Sequence, residues 1–284
     1  MAVVTAPGTP LSRADGAIRR AEDDARRGHR TWLLTVWLGR VALLVLLIGS
    51  WQVGAGRVFD ATFTSRPSAI ARAWWQLAQS GSLWANTQYT LTEFAVGFLL
   101  GALLGIAAAC VLTLSDLPYR VFEPYLLGLY GIPKLALGPL LVLWFGVGLA
   151  PKIVLAAMMT FFLVYMNTVA GIRSTSGDMV AVMRVMGAGR WQLYRQLVLP
   201  HAMPYALTAL RLTIPLAIVG AILGEFLGAS AGLGYLIYEQ VQFLAVDKMM
   251  AAIATLAAIV LVFRLLLLPL ESLVNRHHTT GVHG

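Results

Sequence analysis

The sequence predicts an all-α, polytopic membrane protein with about six transmembrane helices. Of its 284 residues, 58% are hydrophobic and only 12% are charged, and the mean hydropathy is +0.75. This is more apolar surface than a water-soluble core can bury. Several nearly uncharged runs also approach or exceed the length of about 20 residues that a helix needs to cross a bilayer. These observations argue against an ordinary soluble domain.

The predicted transmembrane helices cover residues 32–53, 93–114, 124–147, 152–171, 205–228 and 249–270. The third run contains Pro124, Pro133 and Pro139, and the fifth contains Pro215. Proline removes a backbone donor and its ring clashes with the preceding turn. We therefore expect the third and fifth spans to be kinked or interrupted.

The external loop between the first two spans is predicted to cover residues 54–92. Within it, residues 68–77 have apolar positions at helical spacing, and Trp74 and Trp75 follow Arg72. This composition is typical of a short helix at the membrane interface. An aromatic membrane anchor is the favoured interpretation, and a contact site for an external partner is the alternative.

The net charge of +8 is unevenly distributed along the chain. Six arginines precede the first span, and Arg173, Arg184, Arg190 and Arg195 lie between the fourth and fifth spans. Basic residues concentrate on the cytoplasmic side of membrane proteins. The tail 1–31, the loop 172–204 and, with six spans, the tail 276–284 are therefore predicted to be cytoplasmic. Because topology accounts for most of the charge, we expect no nucleic-acid partner.

Two spans carry glycines at every fourth position. These are Gly97, Gly101 and Gly105 in the second span, and Gly220, Gly224, Gly228 and Gly232 from the fifth span onward. A helix face without side chains lets a neighbouring helix approach closely. Tight packing within the chain is the favoured interpretation, and a dimer contact or a flexible gate is the alternative.

The loop 172–204 is predicted to contain two short helices. Residues 178–186 form the first, with Ser176 or Asp178 as N-cap, and Gly187 and Gly189 break it. The second covers residues 191–199 and ends before Pro200. In the second helix Trp191, Leu193, Tyr194, Leu197 and Val198 supply an apolar face, while Arg190 and Arg195 project outward. These residues alone fit equally a helix resting on the membrane and a docking surface for another protein.

Three stretches give the chain a family resemblance. They are Gly187 with Leu197, Leu199 and Pro200 at fixed spacing, the run from Ile132 to Leu140 with Leu143 to Gly146, and the run from Gly232 to Ile237. Over about residues 60–275, the chain resembles the membrane-spanning permease subunits of binding-protein-dependent ABC importers. More narrowly, it looks like their nitrate, sulfonate and taurine branch. One departure is that Ala181, Val182 and Met183 stand where the family motif often has Glu-Ala-Ala.

The resemblance implies the type I importer permease (MetI-like) fold, with a permease core at 93–275. It also implies an ATPase-coupling loop formed by Gly187, Ala188, Gly189, Arg190, Trp191, Leu193, Tyr194, Arg195, Leu197, Leu199 and Pro200. The partners it implies are two copies of an ATP-binding subunit, an extracytoplasmic solute-binding protein, a second permease copy and membrane lipid. The implied location is the bacterial cytoplasmic (inner) membrane.

No enzymatic site is predicted in this chain. The sequence contains no G-x-x-x-x-G-K-[ST] phosphate loop and no H-E-x-x-H motif. Cys110 is the single cysteine, and His277, His278 and His283 are interpreted as part of a solvated tail. We expect no catalytic residue, no metal and no cofactor here. By the resemblance, ATP and Mg²⁺ are used by the partner ATPase.

Ionisable residues within the spans are the candidates for a translocation pathway. Charge in the hydrocarbon is costly and usually faces a cavity or a partner. Lys134, Arg211 and Glu225 are the predicted pathway residues. Glu93 and Arg264 lie near predicted span ends, where snorkelling to the interface is the simpler explanation.

The branch resemblance implies a small solute such as an alkanesulfonate, taurine or nitrate, or alternatively a pyrimidine-type vitamin precursor. The sequence does not choose among them. Two other classes stay open at this point. An ion-coupled secondary transporter would work without an ATPase, and a membrane scaffold would bind partners and move nothing.

Overall fold

The computed structural model of the chain describes residues 32, 34–57 and 60–276. These residues form helices joined by short turns. The predicted tail 1–31 and residues 277–284 of the C-terminal tail lie outside the described residues. Contacts divide the chain into two compact units, residues 1–68 and 69–284.

The first unit contains a single long apolar helix. Helix α1 (Leu34–Gly54) has 21 residues and is apolar enough to cross a membrane, close to the predicted span 32–53. Its large apolar side chains are mostly exposed, as expected for a helix surrounded by lipid. Past its end the Arg66 side chain donates to the Ala55 carbonyl at 3.1 Å. A short helix, α2 (Ala61–Thr64), precedes α3 (Pro67–Gln79), which confirms the predicted helix at 68–77.

The second unit contains most of α3 and all of the remaining helices. They are α4 (Ser82–Leu112), α5 (Asp116–Gly131), α6 (Lys134–Phe145), α7 (Leu149–Arg173), α8 (Gly177–Val185), α9 (Arg190–Leu193), α10 (Leu199–Phe226), α11 (Leu233–Gln242) and α12 (Val246–Arg276). Within the described residues, five helices of the chain are long and apolar enough to span a membrane. The bent pair α5–α6 would make a sixth span.

The observed helices bear on three of the predicted spans. Helix α4 begins at Ser82 rather than at residue 93, because its first three turns carry polar side chains that the protein buries. The third predicted span is interrupted as expected, with α5 and α6 bent by 93° at Ile132 and Pro133. The fifth span was expected to be kinked or interrupted at Pro215, and α10 runs through that residue without interruption.

Helix α7 is the centre of the second unit, because α4 and α10 both pack against it. The glycine stripes form these two contacts. A Cβ atom on Gly97 would lie 2.8 Å from the carbonyl oxygen of Ile153, and one on Gly220 would lie 2.8 Å from the Cα of Ala156. Only glycine permits backbones to approach this closely. The favoured interpretation of the stripes, packing within the chain, is therefore confirmed for these positions.

Two apolar clusters hold the ends of this bundle. One joins α4, α10, α11 and α12 through residues that include Phe94, Ile218, Leu233 and Ala252. The other lies at the opposite end and joins α4, α5, α7 and the start of α10 through Ala109, Tyr119, Val169, Val198 and Ala202. The segment from Ser174 to Val198, called the helical loop below, extends from this second cluster.

Candidate functional site

The first helix of the helical loop is stopped by glycine. Helix α8 ends at Val185, and Gly187 has a left-handed backbone with φ of +86°. The amide of Ala188 donates to the Met183 carbonyl and the amide of Gly187 to the Arg184 carbonyl, each at 3.0 Å. This pair of bonds is the Schellman motif, which requires a left-handed residue that is usually glycine. The predicted break at Gly187 is confirmed.

The second helix of the loop starts at Arg190, behind Gly189, but it does not end before Pro200 as predicted. Residues Tyr194–Val198 form a π-turn in which the Leu199 amide donates to the Tyr194 carbonyl, five residues earlier. Pro200 then lies in the first turn of α10, and the chain continues helically to Phe226. The wider π-turn leaves room for the proline ring, and the missing amide of Pro200 breaks no regular α-helical ladder there.

Part of the predicted apolar face points back into the protein. The Tyr194 hydroxyl donates to the carbonyl of Cys110 in α4 at 3.0 Å. Leu193 and Tyr194 pack against the cluster that contains Val198, which is itself buried. The prediction of an outward contact is wrong for Val198, which is buried, whereas the coupling role of the half-buried Leu193 and Tyr194 stays a prediction. These residues fasten the loop to the transmembrane helices.

Trp191 of the predicted apolar face and four further apolar side chains are exposed on the helical loop. Val185, Met186 and Trp191 are 89%, 81% and 68% exposed, and Met179 and Val182 on α8 are also open. Of the predicted coupling residues, Gly187, Gly189, Arg190, Trp191 and Arg195 are exposed, while Ala188, Leu193, Tyr194, Leu197, Leu199 and Pro200 are half-buried. Exposed Met and Trp beside Arg is the composition of a protein-binding surface.

The loop also leaves a space beside the transmembrane helices. A cavity of about 450 Å³ lies between the α4–α5 turn, from Thr113 to Asp116, and the helical loop. Arg184 and Arg190 line its loop side. The loop is thus held at Tyr194 and Val198, while α8 is separated from the bundle.

A polar network closes the opposite end of the bundle around the start of α11. Glu225, which is buried, accepts hydrogen bonds from the Thr90 hydroxyl at 2.6 Å and from the amides of Gly234 and Tyr235. Thr90 in turn accepts from the Leu233 amide at 2.7 Å, and Asn86 accepts from the Gly232 amide at 2.8 Å. Side chains from α4 and α10 therefore satisfy the free amides of the first turn of α11. This arrangement supports a structural role for Glu225, and its pathway role stays a prediction.

A buried ion pair that was not predicted from the sequence lies beside this network. Lys152 Nζ lies 3.0 Å from Glu93 Oε1, and both side chains are buried. Glu93 was expected to snorkel from a span end, which is wrong because α4 begins at Ser82 and places Glu93 inside the bundle.

On α11 the Glu239 carboxylate raises the pKa of Tyr235, since ionisation of the tyrosine would bring two negative charges together.

The other predicted pathway residues lie elsewhere. Lys134 is the first residue of α6, at the bend after α5, and it borders a cavity of about 400 Å³. Arg211 is half-buried in α10. The structure does not bring Lys134, Arg211 and Glu225 together in a common pocket among those described. Within the described residues, no group of three metal-ligating side chains is present.

Comparison with known proteins identifies the family. The model of the binding-protein-dependent transport system inner membrane component family matches residues 101–277. The chain belongs to this family. It is therefore the permease subunit of an ABC importer, a transport subunit of the inner membrane. It works with an ATPase subunit and a solute-binding protein.

Curated relatives agree with this assignment. The permease is 33% identical to the aliphatic sulfonates transport permease SsuC of Bacillus subtilis, over 78% of this chain and 81% of the relative. It is 35% identical to the riboflavin transport system permease RibX of Chloroflexus aurantiacus, over 84% and 90%. Among solved structures, an inward-facing MetNI methionine ABC transporter matches with a TM-score of 0.59 and 20% identity, over 70% of this chain and 96% of the other. The similarity to this solved structure concerns the fold alone, and it confirms the predicted MetI-like class.

Proposed function

We propose that two copies of this permease form a homodimer on two copies of the ATP-binding subunit, with the helical loop as the ATPase-coupling element. In this arrangement the loop and both chain termini are cytoplasmic, and the solute-binding protein docks on the opposite side. ATP and Mg²⁺ act at the ATPase subunit. The permease supplies a solute pathway that alternates between two openings.

The proposal rests on the contrast between the exposed and the anchored side chains of the helical loop. Trp191, Val185 and Met186 are exposed, whereas Tyr194 and Val198 are fastened to α4 and to the cluster at that end of the bundle. A loop with exposed apolar side chains on one side and contacts to the transmembrane helices on the other suits the transfer of motion. A partner that binds the exposed side chains would move the transmembrane helices through the side chains that contact them.

The charge of the loop supports its cytoplasmic orientation. Arg184, Arg190 and Arg195 are exposed on it. At the opposite end of the bundle, Lys152 is buried and paired with Glu93, and the exposed Arg72 and Lys248 line one cleft with Asp247, so fewer basic side chains are exposed there. This asymmetry follows the positive-inside rule. A loop that faces the cytoplasm is on the side where ATP is available.

The solute is proposed to be a small organosulfonate, taurine or nitrate, with a pyrimidine-type vitamin precursor as the alternative. The branch resemblance and the sulfonate relative support the first group. The riboflavin relative supports the second, since riboflavin also contains a pyrimidine-type ring. Capture by the binding protein is expected to set much of the selectivity.

The experiment that tests the proposal is mild affinity purification of the permease from its native membrane, with the stoichiometry of co-purifying proteins measured by native mass spectrometry. We expect two permeases with two ATPase subunits. Trp191→Asp should release the ATPase, while Gln192→Asp, the same change at the adjacent exposed position, should retain it. If wild-type permease brings no ATPase with it, or if Trp191→Asp binds ATPase normally, the coupling role of the loop is wrong.

A further inference from the structure

The bend between α5 and α6 creates an unusual site within the transmembrane region. Helix α5 ends at Gly131, Ile132 and Pro133 are extended, and α6 starts at Lys134 after a turn of 93°. The first amides of α6 point away from the helix body, as at every helix N-terminus, and carry partial positive charge. Broken transmembrane helices expose such groups only where protein or a cavity surrounds them.

The Lys134 side chain adds a full positive charge to this bend. Its Nζ donates to the carbonyl of Tyr130, at the end of α5, and lies 4.5 Å from the centre of the Tyr130 ring and 5.0 Å from that of Phe162. Among the described residues, no carboxylate lies within 4.0 Å of this Nζ. Carbonyl and ring contacts stabilise an ammonium without neutralising it. The charge is therefore available to an anion.

The position of Phe162 indicates the depth of this charge. Phe162 lies near the middle of α7, which runs from Leu149 to Arg173 and is long enough to span the membrane. The Lys134 ammonium is therefore level with the middle of α7 rather than with one of its ends. Charge at the middle of a span is costly and usually faces a cavity or a partner.

A cavity of about 400 Å³ borders the ammonium. Tyr130, Pro133, Met158, Phe162, Leu163 and Leu216 are among its lining residues. This volume falls in the range of small-ligand pockets, which are mostly apolar with a few polar groups that fix orientation. Here Lys134 and the start of α6 provide the polar part, and the aromatic and methionine side chains provide the apolar part.

We infer that this cavity is a transit site for the solute and that it holds an oxyanion, such as a sulfonate, against Lys134. The inference rests on the proposed function, because it requires that the chain moves a small solute. An alkanesulfonate matches the site at both ends, since its charged group meets the ammonium and its alkyl part meets the apolar wall. A single cation also allows release, because transport needs binding that is favourable but not tight. Anionic solutes are thereby preferred over an uncharged pyrimidine.

The first test uses the unaltered assembly of permease, ATPase and binding protein in nanodiscs. The permease has three lysines, Lys134, Lys152 and Lys248, so modification by an amine-reactive acylating reagent can be followed at each by mass spectrometry. Ethanesulfonate, taurine and nitrate are the probes, and uncharged ethyl methyl sulfone is the control. At ten times its dissociation constant, a bound probe should slow acylation of Lys134 by about tenfold. Acylation of Lys248 should stay unchanged.

The second test restores the charge in a folded protein. In a Cys110→Ala background, Lys134→Cys is reacted either with 2-aminoethyl methanethiosulfonate, which returns an ammonium, or with methyl methanethiosulfonate, which returns a neutral group. ATP-driven uptake of the protecting anion into proteoliposomes should be at least about tenfold higher with the ammonium. The ATPase activity of the two adducts should be the same.

The outcomes distinguish failure of the proposed oxyanion site from failure of the proposed function. If no probe protects Lys134, or if both adducts transport equally, the oxyanion site is wrong, even though ATP-driven uptake by the wild type would leave the importer assignment standing. If wild-type permease fails to associate with an ATPase, the proposed function fails first. Protection by ethyl methyl sulfone equal to that by ethanesulfonate would also overturn the role of charge.

Discussion

Lys152 Nζ lies 3.0 Å from Glu93 Oε1, and this buried pair joins α7 to α4. Glu225 accepts a hydrogen bond from Thr90, which lies one turn before Glu93 on α4, and it holds the start of α11 through the amides of Gly234 and Tyr235. Three ionisable side chains from α4, α7 and α10 therefore meet at one end of the bundle. Each is compensated by a neighbour, as buried charge requires.

Removing one member of the ion pair should destabilise the permease more than removing both. Lys152→Met leaves Glu93 buried without its cation, which costs about 3 kcal/mol in comparable sites. The double variant Glu93→Leu with Lys152→Met removes both charges and should unfold closer to the wild type. Thermal unfolding in detergent gives the comparison. Equal destabilisation by the single and double variants would show that the pair does not couple α4 to α7.

The Glu225 carboxylate should control the order of α11. Glu225→Ala leaves the amides of Gly234 and Tyr235 without acceptors in a buried position, at a cost of about 1–3 kcal/mol each. Hydrogen exchange over residues 233–242 should rise markedly. Glu239→Ala is the matched control, because Glu239 contacts Tyr235 and Gln240 only through side chains. Unchanged exchange in Glu225→Ala would contradict the capping role.

Replacing Gly220 by Val should separate α10 from α7. Even the first atom of the new side chain would lie 2.8 Å from the Ala156 Cα, so the helices must shift or part. Core overpacking of this kind costs about 1–3 kcal/mol. Gly128→Val is the control, since nothing lies within 4 Å of a Cβ there. The yield of monodisperse protein and the midpoint of thermal unfolding should fall for Gly220→Val and much less for Gly128→Val.

Uptake should depend on the left-handed backbone of Gly187. Gly187→Pro removes the amide that bonds to Arg184 and cannot adopt φ of +86°, so α8 loses its stop. We expect normal insertion, retained ATP hydrolysis by the partner and loss of solute uptake. Gly187→Ala, which keeps the amide at a strain of about 1 kcal/mol, should keep most of the uptake. Wild-type uptake by an assembled Gly187→Pro variant would rule out the requirement.

The membrane class, the bend at Pro133 and the break at Gly187 follow from the sequence, because each depends on local composition or backbone chemistry. The limits of α4 do not, since Thr90 and Glu93 look like surface residues until α7, α10 and α11 bury them. The inward direction of Tyr194 was missed for a similar reason. Its partner is the carbonyl of Cys110, and no spacing rule links positions so far apart along the chain. Polar contacts between residues far apart along the chain were therefore the main features that could not be predicted from the sequence.

The two glycine faces that meet α7 also set the order in which the bundle can assemble. When α4 leaves the translocon, its glycine face has no partner and must wait against lipid until α7 emerges. The second face of α7 stays open until α10 follows, so the helical loop is synthesised before the three helices can close. Insertion of the permease therefore completes from the C-terminal side, and a truncation before α10 would leave a half-covered α7 exposed to quality-control proteases.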